Sequence, residues 1–162
     1  MKKVIPAFLA LLILFSGTLF AEEPAKEEIK EVISYVSVLY MAVVDITVEA
    51  GEIENDYIKT NYSEKKFTAK FDKLPVEEFL KKYKEEWIDE NAKWPFSKVS
   101  GTMVINTDIK NPSKDAFSIV FNFKLDNTSV KKLYLKITPA TEKVNMKING
   151  KTYKDAMNYF ED

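Results

Sequence analysis

The sequence predicts an α+β domain, with N-terminal helices packed on a four- to five-stranded antiparallel meander sheet. Three observations predict it. Apolar residues recur at a helical spacing of three and four in the first part of the chain. After Phe96 the period switches to two. The segments between the period-two runs are short turn material, which makes neighbouring strands antiparallel.

The elements follow in order. Lys2 and Lys3 form a positive n-region, and Val4 to Phe15 is apolar apart from Pro6. Ser16, Gly17 and Thr18 lead to Ala21, the expected cleavage point. Residues 1–21 therefore read as a signal peptide and residues 22–162 as a single domain. The expected location is periplasmic or extracellular, with no integral membrane span after cleavage. From Ala25, the positions Ile29, Val32, Ile33, Val36, Tyr40 and Val43 predict a helix opened by Pro24 and stopped by Gly51. The β-branched run Val43 to Val48 competes with that helix, leaving a strand from near Leu39 as the alternative. Residues 52–64 are polar, with Tyr57, Ile58 and Tyr62 as anchors, and suit a short second helix. Phe67, Ala69 and Phe71 alternate with polar residues as a short strand does.

Pro75 then begins the most regular helical pattern in the chain. Val76, Phe79, Leu80, Tyr83 and Trp87 mark one face, and Pro95 places the helix end near Asn91 or Ala92. Period-two sets follow: Val99, Met103, Ile105 and Ile109; Phe117 to Leu125; Leu133, Leu135 and Ile137; Val144, Met146 and Ile148. Asn149-Gly150 predicts a hairpin returning through Tyr153, and Asp155 to Phe160 suits a short closing helix. In outline, this order of elements resembles cystatin-like rolls and the cone-shaped folds of the nuclear-transport-factor type. The resemblance is one of element order, and such scaffolds host inhibitors, carriers and enzymes alike.

Composition excludes several chemistries. The chain has no Cys, His, Arg or Gln, and all 24 basic residues are Lys. A conventional zinc site, a Ser-His-Asp or Cys-His triad, and haem or iron–sulfur ligation by these residues are ruled out. No cofactor and no metal are expected. Export and the missing arginines argue against nucleic acid as a partner. Ser63-Glu64-Lys65-Lys66 matches the S-x-x-K pattern of serine acyl-enzymes but lacks its K-T-G companion. The formal net charge of −1 hides a division: residues 22–97 hold 18 acids against 11 Lys, and residues 98–154 hold 11 Lys against 4 acids.

Two site hypotheses follow. As a non-catalytic binding domain of the bacterial envelope, the protein would meet a protein or an anionic envelope component. Trp94, Phe96, Tyr134, Lys132 and Lys136 are the candidate contacts, since Pro95 holds Trp94 extended and the lysines alternate on one sheet face. As a small-ligand pocket protein, a carrier or an enzyme with one carboxylate base, it would line its cavity with Tyr83, Trp87, Phe117 and Phe121. A structural envelope protein is the third reading. Glu85, Glu86, Asp89 and Glu90 crowd the end of the second long helix, where the dipole disfavours them, so lysines from elsewhere are expected to approach that corner.

Overall fold

The computed structural model describes residues 23–63, 65–83, 93–106 and 117–160, with Lys82 and Tyr83 described by backbone alone. The signal segment, the acid cluster with Trp87 and the expected helix end at residues 91–92 lie outside the described residues.

Helix α1, Lys26–Ala50, is the centre of the fold. Ile29, Val32, Ile33, Val36, Leu39, Ala42, Val43, Ile46 and Thr47 form one buried stripe at helical spacing. Its β-branched run stays helical because Val43, Ile46 and Thr47 complete that stripe, and burial outweighs the small intrinsic preference for strand. Thr47 contributes in a second way, since its Oγ1 donates to the Val43 carbonyl at 2.7 Å. Gly51, with φ 90°, ends the helix and donates its N–H to the Thr47 carbonyl. By length and composition α1 could cross a membrane. Here its apolar side chains form the inner layer of the core.

Seven antiparallel strands follow as a meander in which each pairs with its sequence neighbours. They are β1 Ile58–Ser63, β2 Lys66–Pro75, β3 Lys98–Asn106, β4 Ser118–Leu125, β5 Lys132–Thr138, β6 Lys143–Ile148 and β7 Lys151–Tyr153. The α+β class with an antiparallel sheet is therefore observed, with seven strands rather than four or five. Residues 58–63 form the edge strand β1 and no second helix. Ser63 and Lys66 face each other across the β1–β2 hairpin, with the Ser63 Oγ donating to the Lys66 carbonyl at 3.1 Å. The S-x-x-K helical turn is thus absent. Helix α2, Val76–Tyr83, joins β2 to the segment before β3, and its Glu77–Lys81 pair closes at 3.8 Å. Ala156–Tyr159 is a single 3-10 turn. At the Asn149-Gly150 hairpin both residues have positive φ, 51° and 90°, as a type I′ turn requires.

Strand alternation separates the sheet into two faces. The inner face carries Phe67, Ala69, Phe71, Met103, Ile105, Phe121, Phe123, Leu133, Leu135, Met146 and Ile148, all buried in one cluster with α1. Contacts along α1 show that it crosses the full width of this face. Glu23, just before its start, pairs with Lys151 of β7; Tyr40 meets the Phe121 ring of β4 edge-on at 6.0 Å; Thr47 reaches Thr60 of β1 at 3.4 Å.

The β1 edge is closed. The Thr60 N–H donates to the Ile53 carbonyl at 2.7 Å, the Ile58 N–H to Asn55 Oδ1 at 2.9 Å, and the Tyr62 N–H to Glu52 Oε1 at 2.9 Å. Residues 52–55 thereby occupy the donors an added strand would use. Gly101 marks a close approach of β3 to β4. Its φ is 128°, and a Cβ there would lie 2.1 Å from the Asn122 carbonyl oxygen. Gly101→Ala is expected to lower stability by roughly 3 kcal/mol or more in urea unfolding. A loss under about 1 kcal/mol would show that β3 and β4 separate easily.

Candidate functional site

The outer face is built from residues one step out of phase with the core. On it stand Lys59, Lys66, Lys70, Lys98, Lys124, Lys132, Lys136, Lys143 and Lys147, contributed by every strand from β1 to β6. Asp72, at the irregular stretch of β2 between Phe71 and Leu74, is the one acid in the described strands. Lys59 pairs with Glu54, and among the described residues the other eight lysines form no ion pair. Between them lies a neutral centre. Thr102, Asn122 and Tyr134 make one cross-strand row and Val104 and Val120 the next, most of them half-buried.

The sequence-derived candidates separate here. Tyr134, Lys132 and Lys136 share the outer face, with Tyr134 opposite Asn122 on one side and Lys147 on the other. Trp94 belongs to the core side, its ring meeting Tyr35 of α1 at 4.7 Å edge-on. Phe96 is 1% exposed and packs against Trp94, so it cannot serve as an exposed anchor. In the segment that Pro95 holds extended, both rings turn to the core side, Trp94 against Tyr35 and Phe96 against Trp94. The pocket set does not converge on a described cavity. Phe121 is in the closed core against Tyr40 and Phe123, and Phe117, before β4, is 39% exposed. Tyr83 ends α2, and Trp87 lies outside the described residues.

A cleft of about 270 Å³ opens elsewhere, between the loop before β1 and the start of α2. Asn55, Asp56, Tyr57, Leu74, Pro75, Glu78 and Phe79 line it. Asn55 is already engaged, accepting the Tyr57 and Ile58 N–H groups. No Asp or Glu is buried among the described residues, so none is placed as a general base in an apolar cavity.

Lys59, Lys66 and Lys70 join this face from the half of the chain that is acidic in sum, so charge counts along the sequence do not point to them. The alternation of Lys66, Thr68 and Lys70 with Phe67, Ala69 and Phe71 was the available signal.

One network holds the sheet face against α1. In the loop from Asp126 to Lys131, the Ser129 N–H donates to Glu28 Oε1 at 3.0 Å and the Thr128 hydroxyl does so at 3.3 Å. Asn149 ties the same loop to the β6–β7 turn, donating to the Ser129 carbonyl and accepting the Lys132 N–H. The Ser129 hydroxyl, buried without a partner of full hydrogen-bond geometry, acts most strongly to hold Glu28 below its ordinary 4.5. Partial burial opposes it, and the Ser129 N–H, the Thr128 hydroxyl and the Lys131 charge reinforce it.

No family model matches the chain, and no curated protein and no solved structure does either.

A carboxyl held down in the fold ionises there before it does in the unfolded chain. The stabilisation from Glu28 is therefore complete above pH 4.5 and fades as the pH falls through the lower folded value. Urea unfolding of the wild type and Glu28→Gln is expected to differ near about pH 7 and to converge toward about pH 3. An equal difference at both would show that the charge on Glu28 contributes nothing.

Proposed function

We propose that this chain is an exported, non-catalytic binding domain of the bacterial envelope, and that the outer face of its sheet takes an anionic partner. The observation that carries the reading is the segregation of charge. Nine lysines share a face whose only strand acid is Asp72, eight of them lack an ion pair among the described residues, and no described element covers them. Like charges gathered on one face raise its potential and repel one another, so the arrangement favours a partner that brings negative charge. Export rests on the basic start, apolar run and Ala21 cleavage point of the first 21 residues.

The formal net charge of −1 makes a sharp test available, because overall charge alone predicts no attraction to a polyanion. On immobilised dextran sulfate at low salt the protein is expected to be retained and then released as salt screens the contact. The variant Lys132→Glu/Lys136→Glu/Lys147→Glu is expected to pass through. Equal charge reversal at Lys81, Lys93 and Lys154, outside this face, is expected to leave retention in place. Failure of the wild type to bind, or equal loss in both variants, would contradict the reading.

A further inference from the structure

We infer that the anionic partner is a membrane surface, with lipid phosphates meeting the lysines and Tyr134 seated at the headgroup level; this rests on the reading above. The placement of charge is the first argument. Lys59, Lys66 and Lys70 lie on β1 and β2, Lys136, Lys143 and Lys147 on β5 and β6, and Lys98, Lys124 and Lys132 toward one end of β3, β4 and β5. These groups lie on three sides of the neutral centre of Thr102, Val104, Val120, Asn122 and Tyr134, the fourth end being Asn106, Ser118 and Thr138. Five strand spacings of about 4.8 Å separate β1 from β6, a span of roughly 24 Å. Screening at physiological salt has a length of about 8 Å, so no small anion acts on all three groups at once. A linear polymer would follow a track, whereas a charged plane meets all three groups together.

The chemistry of the charges agrees. Lysine is a compact point charge on a flexible stem, without the planar fork through which arginine recognises one fixed oxyanion. It suits mobile headgroups better than a ligand of set geometry. A protein partner fits less well, because lysine is depleted in the contact regions of protein interfaces. The half-buried Tyr134, opposite Asn122 and Lys147 and among lysines, has the amphipathic character that places aromatic residues at membrane–water boundaries. The opposite layer sets orientation: α1 exposes Glu27, Glu31, Asp45 and Glu49, which the same surface repels.

The test is co-sedimentation of the full chain with vesicles of phosphatidylglycerol and of phosphatidylcholine, beside binding to soluble dextran sulfate. Residues 1–21, with their apolar run and Lys2 and Lys3, are common to the wild type and both variants, so the difference among these proteins reads the sheet lysines. Phosphatidylglycerol vesicles are expected to bind the protein far more strongly. Lys132→Ser/Lys136→Ser/Lys147→Ser is expected to lower that partition roughly a hundred-fold, since each lysine near such a surface contributes comparably. Lys81→Ser/Lys93→Ser/Lys154→Ser is expected to change it far less. Binding to dextran sulfate with no preference for phosphatidylglycerol would overturn the membrane inference and leave the anionic-partner reading standing. Binding to neither would overturn both, and equal loss in the two variants would remove this face as the site.

Discussion

The burial of one face of α1 against one face of the sheet is the contact on which the rest of this protein depends. A seven-stranded antiparallel sheet has two faces, and a chain of this length with no disulfide must close at least one of them by apolar packing. A helix of 25 residues is about 37 Å long, enough to cross strands whose combined spacing is roughly 29 Å. Placed this way, α1 reaches β7 through Glu23 at one end and β1 through Thr47 at the other. One helix therefore spans the inner face, with Val76, Phe79 and Leu80 of α2 and Phe96 completing the core, and the described chain places no second layer over the outer one.

Charge follows from that division. Acidic residues gather on the exposed side of α1 and in loops, while the described strands hold a single acid and β1 to β6 present nine lysines outward, Lys151 of β7 turning instead to Glu23. The edges are handled separately from the faces. Residues 52–55 take up the outward N–H groups of β1, and β7 is only three residues long. With the β1 donors satisfied and β7 short, the open surface is one of side chains, where affinity comes from charge rather than from added strands.

Much of this was legible where the pattern was local. The period-two runs from Val99 to Ile148 identified four strands and which residues face outward, and so placed Tyr134, Lys132 and Lys136 together on one face. Asn149-Gly150 identified its own turn. The parts that escaped depend on distant partners. In β1 only Ile58 and the polar Thr60 are buried, so no hydrophobic alternation marks it as a strand, and it owes its state to pairing with β2. The helical fate of Val43 to Val48 was decided by the sheet beneath it. Pro95 makes Trp94 and Phe96 candidate contacts by holding the segment extended, but an extended segment says nothing about which side its rings take. Tyr35 of α1 settled that.

The central claim is that one sheet face is sealed by α1 and the other is open to an anionic surface. Since the chain has no native cysteine, maleimide labelling of single cysteines tests it directly. Ala69→Cys reports the sealed face and Asn122→Cys the open one. Asn122→Cys is expected to label promptly in the native state and to be protected by phosphatidylglycerol vesicles, and Ala69→Cys to label only as fast as the protein unfolds. Equal rates at the two positions, or vesicles that leave Asn122→Cys unprotected, would contradict the account.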